Sequence, residues 1–191
     1  MNVTIPVLCV TNRALCAGGF LEQIERVASA RPAGILLREK DLPESAYAGL
    51  ARDVGKICQR FDVPLVVHTH ADVARELGCR HVHLTLPTLE AMPEAARTAL
   101  LEESELSTSC HSVADAQRAQ ALGCTRILAG HVYETDCKPS LEPRGLTFLR
   151  NVCAAVEIPV WAIGGITPER LAEVEAAGAA GACMMSAFMR M

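Results

Sequence analysis

The sequence predicts an α/β fold in which eight parallel strands close into a (β/α)8 barrel, and three observations carry that expectation. Short β-branched runs alternate with longer amphipathic segments from one end of the chain to the other. Eight such runs can be marked, the number that closes a parallel sheet on itself. Glycine also recurs where a helix should give way to a strand, as in Leu77-Gly78-Cys79, its near-copy Leu122-Gly123-Cys124, and Ala177-Gly178-Ala179. Lacking a Cβ, glycine accepts the left-handed C′ conformation that ends a helix.

In chain order the expected strands are Ile5–Val10, Gly34–Arg38, Pro64–His68, His81–Leu84, Leu106–Ser109, Arg126–Ala129, Pro159–Ile163 and Gly181–Met184. Between them lie helical patterns over Phe20–Ala30, Ser45–Phe61, Asp72–Leu77, Met92–Leu101, Val113–Leu122, Thr147–Val156 and Pro168–Ala176, with Leu, Val and Ala recurring at three- and four-residue steps. Pro168 suits a first helical turn, where its missing N–H costs nothing, and Thr167 before it is the expected N-cap. Spread over eight units, 191 residues give about 24 per unit, a compact TIM barrel beside the roughly 250 residues typical of the fold. The eighth helix can only be the short tail Ala187–Met191. An open doubly wound sheet is the competing architecture. No linker, low-complexity stretch or charge run divides the chain, so residues 1–191 read as a single domain.

Half the residues are hydrophobic and 21% are charged, with a mean hydropathy of +0.22, which excludes a disordered chain. The longest apolar runs, such as Val63–Val67 and Ile158–Ile163, are strand-sized, far below the roughly 18 residues that cross a bilayer. No basic region followed by a long apolar stretch stands at the start, so no signal peptide is expected. A net charge of −4 gives no broad footprint for nucleic acid or anionic membrane. The nine cysteines are odd in number, dispersed, and never spaced Cys-x-x-Cys. A disulfide framework is therefore not expected, and a reducing cytoplasm is.

In such a barrel the chemistry sits at the C-terminal ends of the strands. The second strand ends in Arg38-Glu39-Lys40-Asp41, where alternation puts Arg38 and Lys40 on one face as an anion site. The seventh runs into Ile163-Gly164-Gly165-Ile166 and the eighth into Met184-Met185-Ser186, the two loops whose backbone N–H groups commonly hold phosphate in this fold. The sixth feeds the longest loop, Gly130–Lys138, in which His131 is a candidate acid/base group and Thr135 and Lys138 add a hydroxyl and a cation. The pairs His68-Thr69-His70 and His81-Val82-His83 each put two rings on one strand face. Metal binding there ranks below a structural role, because His81 and His83 lie nearer the core than the mouth and no carboxylate partner is evident.

Leu37-Arg38-Glu39-Lys40, Val82-His83-Leu84, Ser107–His111, Gly130–Lys138 and Ala162–Ile166 follow one another in an order that resembles the thiamine phosphate synthase/TenI superfamily over nearly the whole chain. Synthases of that superfamily carry Asn-Asp at the end of the third strand and an acidic residue soon after the fourth, which hold Mg²⁺ on the pyrimidine pyrophosphate. Here those places read His68-Thr69 and Leu84-Thr85-Leu86-Pro87-Thr88. Synthases also have Gly-Pro after the sixth strand, where this chain has Gly130-His131.

The run Gly130–Lys138 is similar to the TenI branch. That resemblance implies a thiazole tautomerase, an isomerase that aromatises a 2-carboxythiazole phosphate with no metal, redox cofactor or covalent intermediate. It makes His131 the proton-transfer residue and Gly164, Gly165, Met185 and Ser186 the phosphate anchor. Arg38, Lys40 and Lys138 would face the carboxylate, and Ser109 would make a polar contact. A homodimer is implied as well. Two alternatives stay open: a thiamine phosphate synthase joining thiazole phosphate to pyrimidine pyrophosphate, and a non-catalytic phosphate-ligand-binding protein on the same scaffold.

Overall fold

A computed structural model describes residues 5–136 and 139–191. Its strands are β1 (Val7–Val10), β2 (Gly34–Leu37), β3 (Leu65–His68), β4 (His81–Leu84), β5 (Glu105–Cys110), β6 (Arg126–Gly130), β7 (Val160–Ile163) and β8 (Gly181–Met184). Each pairs in parallel with its chain neighbour, and β1 pairs with β8, so the sheet closes into a (β/α)8 barrel. The helices are α1 (Phe20–Ser29), α2 (Glu44–Phe61), α3 (Ala71–Glu76), α4 (Leu86–Ala91), α5 (Glu94–Glu103), α6 (Val113–Ala121), α7 (Gly145–Ala155), α8 (Leu171–Ala176) and α9 (Ser186–Met189).

Alternation along the strands sorts side chains into two cores. Leu8, Val10, Leu36, Val66, Leu128, Trp161 and Cys183 fill the barrel interior. Cys9, Ile35, Leu37, Val67, Val82, Leu106 and Ala129 point outward into the larger core beneath the helices. The same alternation turns Ser107 and Ser109 to the inner side and buries Thr108 outside, where its hydroxyl has no hydrogen-bond partner. Arg126 stacks over the Trp161 ring at 4.7 Å.

The expected strands all form, each within two residues of its expected ends. Three local features differ. The stretch after β4 is α4 rather than loop: Thr85 caps it, accepting from the Thr88 N–H at 3.3 Å, and Pro87 sits in its first turn. A 3-10 turn at Arg13–Leu15 follows β1, with the Asn12 carboxamide accepting from the Ala14 N–H at 3.1 Å. Thr167 occupies the expected N-cap position, but its hydroxyl bonds to the Glu169 carboxylate and caps no backbone N–H. The last helix is short, as expected, and begins at Ser186. Among the described residues all cysteines are free, and no helix is long and apolar enough to cross a membrane.

Candidate functional site

At the C-terminal mouth of the barrel lies a cavity of about 880 Å³, within the size range of small-molecule sites. The candidates Arg38, Lys40, Ser109, His131, Thr135, Gly164, Gly165, Met185 and Ser186 all line it. Lys138 lies outside the described residues. The strand ends thus bring together groups spread over most of the sequence.

The β2 side is cationic, and a buried carboxylate holds it in shape. Glu39 is 4% exposed and turns away from the cavity. It accepts from the Thr11 hydroxyl at 2.6 Å and from the Arg13 N–H at 3.2 Å. Thr11 Oγ1 in turn accepts from the Arg38 N–H at 2.9 Å. With Glu39 anchored on one face, Arg38 and Lys40 are left on the other, facing the cavity.

Beside them the histidines regroup. The sequence pairs them as His68/His70 and His81/His83, whereas the structure pairs His68 with His83 across β3 and β4. Their rings are stacked, 5.5 Å apart at 21°, and both line the cavity. His83 was expected nearer the core than the mouth; instead it forms a cavity wall, because the β4 strand ends one residue beyond it. His70 packs tilted against Tyr47, with ring centroids 4.5 Å apart at 39°, and His81 pairs with Glu105 at 3.3 Å. His83 is hydrogen-bonded through Nδ1 to Ser107 at 2.9 Å and through Nε2 to Ser109 at 3.1 Å. His68 Nδ1 meets Thr69 Oγ1 at 2.7 Å. Thr69 itself takes a φ of +72°, which β-branched residues avoid, and its N–H donates to the His83 carbonyl at 2.9 Å.

Burial, then Lys40 and Arg38, pull the His68 imidazole down to about 4. Burial, then His68, Lys40 and Arg38, pull His83 down to about 3. Both rings are therefore neutral near pH 7. A residue that sequence reading missed fixes this corner. The Tyr47 hydroxyl, on α2, donates to the Leu37 carbonyl at 2.8 Å and accepts from the His68 N–H at 2.9 Å.

Opposite, the β6 and β7 loops are laced together: Val132 N–H donates to Ile163 O at 2.9 Å and Tyr133 N–H to Gly164 O at 3.0 Å. Gly164 and Gly165 have φ of +96° and +65°, and a Cβ on either would run into the β6 loop, at the His131 side chain or the Glu134 carbonyl. Arg170 donates to Gly165 O at 2.6 Å and lies 4.3 Å over the Tyr133 ring. His131 is 5% exposed, and its Nε2 donates to the Leu141 carbonyl at 3.2 Å, which ties the ring to its own loop.

The donor set does not fit a hard dication. Among the described residues no group of three or more His, Cys, Asp or Glu could hold a metal ion. Two carboxylates at the mouth, Glu90 and Asp115, instead pair with Arg118 at 2.8 and 2.7 Å. The places where the resemblance implies Mg²⁺ ligands carry His68-Thr69 and threonine hydroxyls, which lack the negative charge such an ion prefers.

The sequence profile of the family described as thiamine monophosphate synthase matches residues 7–188. The chain belongs to this family. It is 34% identical over 187 residues to the thiamine-phosphate synthase of Roseiflexus castenholzii, covering 96% of this chain and 80% of that protein. It is 38% identical over 167 residues to the thiamine biosynthesis bifunctional protein ThiM/ThiE of Symbiobacterium thermophilum; that match covers 87% of this chain but about a third, 34%, of the longer protein. Among solved structures, thiamine phosphate pyrophosphorylase from Pyrococcus furiosus superposes with a TM-score of 0.82 at 27% identity, over 98% of this chain and 88% of that one.

These findings correct the expectation of an isomerase. Family members 28–34% identical to this chain are named thiamine-phosphate synthase, a transferase. The likeness of Gly130–Lys138 to the tautomerase branch is one loop, whereas these similarities run along nearly the whole chain.

Proposed function

We propose that this chain is a transferase of the thiamine-phosphate synthase type, joining a thiazole phosphate to a pyrimidine diphosphate. One observation carries the reading beyond family membership: a single cavity has groups suited to oxyanions on two sides. Arg38 and Lys40 lie on one side, and the Gly164–Gly165 and Met185–Ser186 segments on the other. A ligand with one phosphate needs one such site; two phosphorylated substrates meeting ring to ring need two.

In this reading Arg38 and Lys40 hold the diphosphate, and the backbone N–H groups of the two loops hold the thiazole phosphate. The carbon–oxygen bond to diphosphate breaks with its electron pair leaving on oxygen, and the thiazole nitrogen lone pair forms the new carbon–nitrogen bond. Fixed cations at the departing oxygens favour that charge separation without reorganising. The apolar floor of Val10, Leu36 and Leu128 keeps water from the reacting carbon. Thr135 and Ser109 line the space between the two sides. A cytoplasmic location belongs to the same proposal, supported by the free cysteines among the described residues, and a homodimer belongs to it through the family resemblance alone.

The test is turnover: both substrates are incubated with purified protein and thiamine phosphate is quantified, with each substrate omitted in turn. Product that requires both supports the transferase. The unmatched metal positions favour one second reading, a protein that binds the same phosphates without turnover. Binding of both compounds with no product, with or without Mg²⁺, would establish that reading and end the first.

A further inference from the structure

The misfit between the donor set and a divalent cation leaves a question of charge. A diphosphate carries about three negative charges near neutral pH, whereas the β2–β4 side of the mouth offers the two fixed cations Arg38 and Lys40. The third group there is His68, 6% exposed and lining the cavity. Its Nδ1 is bonded to Thr69 Oγ1 and its backbone N–H is held by the Tyr47 hydroxyl. This leaves Nε2 as the ring nitrogen with which to meet a ligand.

We propose that this side of the mouth is a metal-independent diphosphate site in which His68 takes up a proton as the anion binds, so that Arg38, Lys40 and an imidazolium together replace the cation–carboxylate arrangement of other family members. The proposal rests on the transferase reading for the identity of the ligand, but not for the protonation step. The charge balance is simple: one proton from solvent joins His68 as the anion enters, and it returns to solvent when the anion leaves.

The groups facing His68 make the coupling strong. Lys40 and Arg38 approach from β2, His70 from its own strand end, Tyr47 from α2 and His83 from β4. In the free protein the cations and burial hold the imidazole at about 4, some 300-fold below the proton affinity of an ordinary imidazole. An anion between these groups reverses the sign of the local field. A single negative charge about 4 Å away in partly buried surroundings alters a proton equilibrium by about a thousand-fold. That is enough to offset the whole depression. Ser107 and Ser109 occupy both ring nitrogens of His83, so neither meets the anion directly, and deeper burial holds its imidazole lower still, at about 3. His83 serves instead as the neutral wall against which His68 stacks.

The probe is inorganic pyrophosphate, added to the histidine-labelled full chain in EDTA, with the ring resonances of His68 followed by NMR across pH. His68→Asn provides the assignment, and His68→Gln a second variant should the first not fold. The expected result is that saturating pyrophosphate moves the His68 titration from about 4 into the ordinary imidazole range near 6.5. The ratio of wild-type to His68→Asn affinity should then rise about 20-fold between pH 7 and pH 5, a comparison that cancels the titration of pyrophosphate itself. His68 remaining neutral in the complex, or pyrophosphate binding only when Mg²⁺ is added, would overturn the proposal even in an enzyme that makes thiamine phosphate. Conversely, metal-free binding with proton uptake in a protein that makes no product would sustain the site and end the transferase reading alone.

Discussion

Replacing Tyr47 with Phe isolates the hydroxyl that fixes the His68 corner. The ring, 1% exposed, keeps its packing and its 4.5 Å contact with His70. What disappears is one donor to Leu37 O at 2.8 Å and one acceptor for His68 N–H at 2.9 Å. Each buried backbone group left unsatisfied costs about 1–3 kcal/mol, so the variant is expected to lose about 2–4 kcal/mol. For a chain of this size that corresponds to a Tm lower by about 5–15 °C. Urea and thermal denaturation followed by circular dichroism measure both values. Pyrophosphate binding should weaken as well, because the backbone position of His68 is no longer fixed. A Tm within about a degree of wild type would show that the hydroxyl does not bridge β2 and β3 as described.

Acid should unfold the protein through its buried imidazoles. His68 and His83, at about 4 and about 3 when folded, titrate near 6.5 when unfolded, so the unfolded chain binds more protons; stability is full above pH 6.5 and is lost as pH falls toward 4. Between pH 7 and pH 5 the loss should be about 2 kcal/mol per imidazole, and a urea midpoint unchanged over that interval would contradict neutral burial. Arg38→Ala should weaken pyrophosphate binding by about ten-fold or more and flatten its salt dependence; an unchanged Kd would remove Arg38 from the site. Gly164→Ala forces a side chain onto a φ of +96° and into His131, so a loss of about 2 kcal/mol or more is expected by urea denaturation. A neutral outcome would mean that the two loops are not packed as described.

The barrel was legible in the sequence because its signals are local and repeated: an apolar run, an amphipathic segment, a glycine. Gly78, Gly123 and Gly178 all adopt the positive φ expected of helix-ending residues. The α4 helix was missed although its signals were present, a Thr85 cap and Pro87 in the first turn, because six residues carry too little periodicity to stand out. The cavity-lining candidates were legible because a parallel barrel delivers every strand end to one mouth. What was not legible depends on cross-strand register. The stacking of His68 on His83 follows from their pairing across β3 and β4, which no spacing within either strand reveals. Tyr47 was missed for the same reason, as were the partners of Glu39, whose face alternation had given correctly; these contacts span 10 to 28 residues. The Gly130–Lys138 run misled in the opposite direction: one loop resembles the tautomerase branch, while the similarity to relatives named thiamine-phosphate synthase runs along nearly the whole chain.

The most direct measurement is a crystal structure of the protein soaked with pyrophosphate and thiazole phosphate together. The expected electron density places pyrophosphate against Arg38, Lys40 and His68, and the thiazole phosphate group against Gly164, Gly165 and Ser186, with the thiazole ring between them. Both anions sharing one side of the mouth, or either lying outside the cavity, would contradict a two-substrate site.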